Sequence, residues 1–114
     1  MPQYMLLLRD NREVWSKLGP EEMQKAVEKY FAWRKKPFVV DGKGLNAETG
    51  RVLRKKNGNV NVTDGPFSEG REVFGGYYTI EAASFDEAIQ LSMDHPHMDF
   101  GGIEIREVKV RPGS

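Results

Sequence analysis

The sequence predicts an α+β domain in which two helices cover one face of an antiparallel sheet. Apolar segments of strand length alternate with two helical segments, the dipeptide Asn57-Gly58 marks a hairpin, and the last strand alternates apolar and polar side chains. At 114 residues, the chain is long enough to bury about two-thirds of its unfolded surface. We therefore expect a single domain that spans residues 1–114.

The first strand and the first helix are predicted within residues 4–36. Residues 4–8 form an apolar run bounded by charge, which is typical of a strand covered on both faces. A helix is predicted over residues 21–36, because Pro20 suits its first turn, two acids favour its positive end and Pro37 stops it. Four apolar residues recur at helical spacing and are predicted to face the core, with a seam for a partner helix as the alternative: Met23, Val27, Tyr30 and Phe31.

The middle of the chain predicts a hairpin followed by a strand. Residues 51–55 and 59–63 flank a turn in which Asn57-Gly58 supplies the two positive φ values of a type I′ hairpin. Residues 38–40 are apolar but few, so strand and loop both stay open there. The alternation in residues 77–82 places two sets of side chains on opposite faces: Tyr78, Ile80 and Ala82 on one, and Tyr77, Thr79 and Glu81 on the other.

The last third of the chain predicts a second helix and a final strand. Ser84 and Glu87 form a capping box, apolar residues follow at helical spacing, and Pro96 ends the helix. Residues 103–110 then begin by alternating apolar and polar side chains. The predicted order is β-α-β-β-β-α-β. If one strand of the hairpin is an insertion, the remainder has the β-α-β-β-α-β order of a ferredoxin-like fold.

The face of the sheet that lies away from the helices is predicted to be chemically mixed. It carries Thr79, Glu81, Glu104 and Arg106 beside apolar residues of the first strand. Such a face is too apolar to be simply solvated and too polar to form a dry core. We expect two copies to bring these faces together as a homodimer, which closes an α/β barrel around a polar cavity. A monomer with a solvated sheet face is the alternative.

Composition excludes several classes of function. The 17 basic and 17 acidic residues cancel, so the chain lacks the positive field that binds nucleic acids or anionic membranes. No apolar stretch approaches the ~20 residues that cross a bilayer. The chain contains no cysteine and is compatible with a reducing, cytoplasmic setting. It has no glycine-rich nucleotide loop and no serine in a nucleophile elbow, so phosphoryl transfer, hydride transfer and serine hydrolysis have no support. No cofactor is predicted.

The corner at residues 62–67 has the strongest site character. A β-branched run ends there in Asp64, a Gly-Pro pair and Phe67, and the Gly-Pro pair holds the acid and the aromatic ring in a defined geometry. Asp64 can act as a general acid or base if a cavity desolvates it, or it can simply accept backbone N–H bonds. Just after the corner, Glu69 and Arg71 can orient a polar ligand, with an exposed charged turn as the alternative.

Two further positions complete the set of candidate residues. Tyr77 shares the polar face and is predicted to line the cavity, whereas Tyr78 is predicted to pack under a helix. Residues 94–99 contain two imidazoles and two carboxylates, but their spacing matches no standard site, so no metal site is predicted. His95 is a candidate proton carrier, with a buried, hydrogen-bonded histidine as the alternative.

Residues 62–67, the Gly75-Gly76 pair and residues 77–82 resemble the signature of the DGPF branch of the YCII-related proteins, and the resemblance extends over most of the chain. It implies a dimeric α+β barrel and a bacterial protein, in a family whose biochemical activity is not established. Genetic contexts shared with sigma factors imply a regulatory role for some relatives. The better-studied YCII branch is proposed to pair a histidine on the first helix with an aspartate. Residues 21–36 contain no histidine, so a dyad built that way is excluded here.

These observations together predict a homodimer that binds a small polar organic molecule in a cavity between the two sheets. If the protein is an enzyme, cofactor-free acid/base catalysis is the expected chemistry. The alternative is a regulatory or protein-interaction module that uses the corner and the basic hairpin as docking surfaces. The predicted catalytic residues are Asp64 and His95, and the predicted ligand-binding residues are Phe67, Glu69, Arg71 and Tyr77.

Overall fold

A computed structural model describes residues 1–46, 50–64 and 72–110. Its strands are β1 (Gln3–Asn11), β2 (Val39–Gly44), β3 (Arg51–Lys56), β4 (Asn59–Asp64), β5 (Glu72–Glu81) and β6 (Gly101–Glu107). Its helices are α1 (Arg12–Ser16), α2 (Pro20–Arg34), α3 (Phe85–Ser92) and a short 3-10 helix at Pro96–Asp99. None of these helices is long and apolar enough to cross a membrane.

Four of the strands form one antiparallel sheet in the order β2-β5-β1-β6. β1 therefore lies between β5 and β6, and it is covered on one face by helices. This is the strand order of a ferredoxin-like fold, so the predicted fold class is confirmed for the single chain. The capping box that was predicted for the second helix forms as well. The Ser84 hydroxyl accepts the Glu87 N–H at 3.1 Å, and the Glu87 carboxylate accepts the Ala83 N–H at 3.1 Å.

The hairpin, formed by β3 and β4, is a separate two-stranded sheet. Its turn has φ values of 52° at Asn57 and 82° at Gly58, as the dipeptide predicts. Val39–Gly44 supplies the strand of the main sheet that pairs with β5, which settles the open choice at residues 38–40. Both strands of the hairpin are therefore an insertion, whereas the sequence pattern predicted one inserted strand.

The core lies between the main sheet and the helices. Tyr4, Leu6 and Leu8 of β1 are buried on this face, and Ile80 of β5 is completely buried beside them. Tyr78 also lies on this face, and its hydroxyl donates to the carbonyl of Tyr30 in α2 at 3.3 Å. The predicted division of β5 into two faces is thus correct.

The apolar stripe of α2 differs from its prediction. Ala26 and Trp33 are buried against the sheet, but Met23, Val27 and Phe31 are 37%, 43% and 57% exposed. Tyr30 packs against the core as predicted. The opposing strand β2 carries glycine at two positions on this face, and at these positions it offers no side chain for the rest of the stripe to pack against. The space that these absent side chains leave open is the site described next.

Candidate functional site

A cleft of about 420 Å³ opens between α2 and the sheet, and we refer to it as the helix-side cleft. Glycines form part of its sheet side. A Cβ added at Gly42 would overlap the ring of Tyr78, so only glycine fits there. A Cβ added at Gly44 would meet no atom nearer than 4.0 Å, so the space above Gly44 is open. Most of its remaining walls are apolar or aromatic. They include Leu8, Val27, Tyr30, Phe31 and Tyr78, and Arg34 contributes a cation.

The carboxylate of Asp10 lies against one wall of this cleft. Asp10 follows the β1 irregularity between Leu8 and Arg9, and its side chain is 20% exposed. Gly75 of β5 lines the cleft, and a Cβ at that position would overlap both carboxylate oxygens and the carboxyl carbon of Asp10. Glycine at this position therefore lets the carboxylate approach the β5 backbone.

The side chains of Asp10, His97 and Tyr30 form a hydrogen-bonded group that we call the Asp10 network. His97 is completely buried, and its Nε2 lies 3.3 Å from Asp10 Oδ1 and 3.0 Å from the Arg9 carbonyl oxygen. A carbonyl oxygen only accepts, so Nε2 carries the proton. In the neutral imidazole, Nδ1 then accepts from the Tyr30 hydroxyl at 2.6 Å. Each ring nitrogen thus has a partner that fixes the tautomer.

A second glycine holds the Asp10 network in place. A Cβ at Gly101 would overlap the Arg9 carbonyl oxygen and lie 2.9 Å from His97 Nε2. The neighbouring Gly102 has nothing within 4 Å of such an atom. Trp15 covers the same region by stacking on Phe100, with ring centroids 4.5 Å apart. Strand ends, a short helix and the 3-10 segment therefore meet around one carboxylate.

Burial is the main electrostatic influence on this group. Burial raises the pKa of Asp10, and the proximity of His97 and the indole N–H of Trp15 oppose the rise. The Trp15 N–H nevertheless reaches no described acceptor at full hydrogen-bond geometry. Burial, followed by the negative charge of Asp10, also raises the pKa of Tyr30, which keeps that phenol a proton donor. A carboxyl group whose pKa is raised beside a cleft is suited to proton transfer.

His95 lies close to the Asp10 network but packs in the aromatic core. It is 2% exposed, its Nδ1 accepts the His97 backbone N–H at 2.9 Å, and its ring centroid is 4.4 Å from that of Trp33. Burial, and then the proximity of His97, lowers the pKa of His95 to about 3. Its Nε2 has no hydrogen-bond partner among the described residues. These contacts favour the packing role for His95, and its proton-carrier role stays an untested prediction.

The other predicted site residues are not brought together with His95. Asp64 ends β4 in the hairpin, where its side chain is 91% exposed and lies 3.7 Å from Arg51 Nε. Tyr77 lies on the sheet face away from the helices, and its hydroxyl donates to Asp41 Oδ2 at 3.2 Å. The remaining three predicted ligand-binding residues lie outside the described residues: Phe67, Glu69 and Arg71.

Sequence reasoning missed Asp10, Tyr30 and His97 as a group. One signal was present, because Asp10 lies two residues after the end of an apolar run that predicts burial. The histidine that pairs with this aspartate comes from the 3-10 segment and not from α2, so the exclusion of a helix-borne histidine stands. No group of three or more histidine, aspartate or glutamate side chains that could hold a metal ion occurs within the ranges 1–46, 50–64 and 72–110.

Three comparisons relate this chain to known proteins, and one of them, the match to a family model, shows its family. An uncharacterized protein of Rhizobium meliloti (strain 1021) is 29% identical over 119 residues, which cover 96% of this chain and 95% of that protein. A solved structure of 5-chloro-2-hydroxyhydroquinone dehydrochlorinase from Burkholderia phenoliruptrix AC1100, in complex with 2,5-dihydroxybenzoquinone, aligns with a TM-score of 0.45 and 16% identity. That alignment covers 94% of this chain and 93% of the other. The family model of the YCII-related domain matches residues 2–111, and the chain therefore belongs to the YCII-related family.

Proposed function

We propose that the protein binds a small organic molecule in the helix-side cleft and that Asp10 transfers a proton to or from it. The observation that carries this proposal is the position of the Asp10 carboxylate, which is buried against Gly75 in the cleft wall and held by His97. A carboxyl group that is used only to cap backbone does not need a buried imidazole partner or an adjoining cleft.

The walls of the cleft limit the shape of the ligand. Tyr30, Phe31 and Tyr78 offer aromatic surface, and glycine backbone lies opposite, so an apolar body is favoured. A hydroxyl or acidic C–H group placed at Asp10 can give its proton to the carboxylate, and the same proton returns to another atom of the ligand or to water. His97 Nε2–H stabilises the charged carboxylate, and Tyr30 orients His97. This proton transfer needs no cofactor.

We also propose the homodimer that the sequence predicts. The open face, which is the sheet face away from the helices, carries Met5 and Leu7 in a half-buried state beside the ion pair of Arg9 and Glu104 at 3.3 Å. A polar cavity between two such faces, with Tyr77 in its lining, stays part of this proposal. Membership of the DGPF branch and a cytoplasmic setting are likewise predictions.

A regulatory or protein-interaction role is the second candidate function. It is favoured by one observation, which is that the hairpin exposes apolar side chains: Leu53, Val60 and Val62. Basic residues lie beside these side chains, and the sequence predicts a docking surface on this hairpin for that reason. Asp64 at the end of the hairpin is open to solvent, which suits a docking surface better than a shielded catalytic group.

Ligand screening of Asp10→Asn and Asp64→Asn tests the two candidate functions against each other. A panel of aromatic alcohols, phenols and keto acids is screened by amide chemical-shift changes at Gly42, Gly44 and Gly75, with thermal unfolding as a second readout. We expect wild type and Asp64→Asn to respond alike and Asp10→Asn to lose the response. If only Asp64→Asn loses its response, the site lies at the corner and the cleft proposal is wrong.

A fold defect in Asp10→Asn would leave its lost response ambiguous, so a second measurement uses the wild-type protein alone. The carboxyl carbon of Asp10 is followed by NMR as pH changes, without and with the best compound of the panel. We expect the bound compound to move the titration midpoint of Asp10, because it contacts the carboxylate. An unchanged midpoint with saturated binding would show that Asp10 takes no part.

A further inference from the structure

The hairpin is the least attached part of the described chain. β3 and β4 pair with each other along their whole length, from Arg51 opposite Asp64 to Lys56 opposite Asn59. No described strand of the main sheet pairs with either of them, and their extensive contacts are with each other. An isolated two-stranded sheet is marginally stable in water. Another surface is therefore expected to support this one.

One face of the hairpin, called the apolar face below, exposes three neighbouring apolar side chains with charged side chains beside them. The register places Leu53 opposite Val62, with Val60 two residues along β4 on the same face. These three side chains are 63%, 61% and 61% exposed. Neighbouring apolar side chains on one side of a strand pair are a stabilising surface only when they are covered. The face thus has the character of a contact surface without its partner.

The charge of the hairpin indicates what covers it. Residues 51–64 contain four basic side chains and one acidic side chain, so their net charge is +3. The whole chain has a formal net charge of zero, and the remaining residues therefore carry −3. The hairpin of one copy is consequently attracted to the body of any other copy of the same chain.

The molecule is extended for its length, which agrees with a hairpin that makes few contacts with the rest of the described chain. The radius of gyration is 16.2 Å, whereas a compact domain of this length has about 13 Å. A positively charged hairpin on a negatively charged body suits a symmetric dimer, because each copy provides both a hairpin and a body surface for the other copy to contact. We propose that the apolar face of the hairpin packs on the body of a second copy of this chain, in a symmetric dimer.

The absence of cysteine permits a direct test. Asn57→Cys places a single spin label at the tip of the hairpin, and this labelled copy is mixed with ¹⁵N-labelled wild type. We expect the label to broaden body amides of the other copy, and the broadening to weaken as salt is raised. The proposal is overturned if the label broadens no body amide of the ¹⁵N-labelled copy.

A matched pair of variants provides a second test. Leu53→Gln/Val60→Gln/Val62→Gln removes the apolar face, and Asn59→Gln/Asn61→Gln/Thr63→Gln alters the opposite face of the same strands. In sedimentation experiments, we expect the first variant to raise the dimer dissociation constant about tenfold or more and the second to leave it unchanged. A monomeric wild type overturns the proposal. A dimer that resists the first variant has no contact through the hairpin, and this result also overturns it. Leu7→Glu tests the open-face contact of the proposed homodimer separately, because it leaves the hairpin unchanged.

Discussion

The Asp10 network and the hairpin place aspartates in opposite surroundings. Asp10 is 20% exposed, meets a completely buried imidazole and lies beside a cleft, whereas Asp64 is 91% exposed and has one loose ion pair. The sequence pattern around Asp64 is the more conspicuous, because glycine, proline and an aromatic residue follow it. A turn signature reports backbone geometry, but the chemistry of a carboxylate depends on desolvation, which comes from elements distant in sequence.

The largest expected effect is a loss of stability in acid caused by His95. Its pKa falls from the ordinary 6.5 to about 3 on folding, so the unfolded chain binds one more proton between these values. Stability is therefore complete above pH 6.5 and is lost as pH falls toward 3, by about 1.4 kcal/mol per pH unit. His95→Asn keeps a side-chain acceptor for the His97 N–H and removes the titration. Urea unfolding between pH 7 and pH 4 should give a flatter profile for this variant, and equal slopes would show that His95 is not the group responsible.

The next effect distinguishes two adjacent glycines. Gly101→Ala brings a Cβ onto the Arg9 carbonyl oxygen and against His97, and neither group can move without disturbing β1. We expect it to lower the free energy of unfolding by about 1–3 kcal/mol, as overpacking does. Gly102→Ala, which meets nothing within 4 Å, is the matched control and should leave the denaturation midpoint unchanged. Equal effects of the two variants would contradict the close packing at Gly101.

A pair of tyrosines provides a smaller contrast. Tyr30→Phe removes the donor to His97 Nδ1 and leaves a buried acceptor without a partner, at a cost of about 1–3 kcal/mol. Tyr77→Phe removes a bond to Asp41 on the open face, and we expect a much smaller change in the denaturation midpoint. Chemical denaturation of both variants at neutral pH makes the comparison. A larger loss in Tyr77→Phe would place the more important tyrosine on the open face.

The smallest effect concerns the two aspartates themselves. The pKa of Asp10 is raised in the folded state, so this carboxyl favours unfolding once pH exceeds its unfolded value of 3.8. Asp10→Asn should therefore gain stability relative to wild type as pH rises from about 4 toward neutrality. Urea unfolding of both proteins between pH 4 and pH 7 measures this difference, and a difference that stays constant with pH would contradict the burial of Asp10. Asp64→Asn changes a side chain that is 91% exposed, so it is the surface control and should leave the denaturation midpoint at neutral pH close to that of wild type.

Periodicity and turn chemistry predicted most of the fold. The alternation in residues 77–82 placed Tyr77 and Tyr78 on the correct faces, and Asn57-Gly58 placed the hairpin turn correctly. The sequence leaves strand and loop open at residues 38–40 because that apolar run is too short to decide between them. The structure extends the strand through two glycines to Gly44. Helical spacing predicts that the stripe on α2 faces the core. That spacing carries no information about the side chains of the opposing strand, and the difference from the structure arises there.

The candidate site was harder to predict than the fold. Asp10 and His97 are 87 positions apart in the numbering, and the glycines at positions 75 and 101 make room for their side chains from two other strands. The residues of the corner are consecutive, so a sequence pattern can show them together. The pairing of β1 with β5 and β6 assembles the Asp10 network, and only the complete sheet brings it together.

The glycine side of the helix-side cleft has a consequence for ligand size. A side chain at Gly42 would collide with Tyr78, but one at Gly44 would enter open space. Position 44 is therefore a place where a single substitution can narrow the cleft without disturbing the core beneath it. Under the proposed function, relatives that differ only at position 44 would accept ligands of different width while keeping the same carboxylate at position 10, and one scaffold would then serve a graded series of ligands.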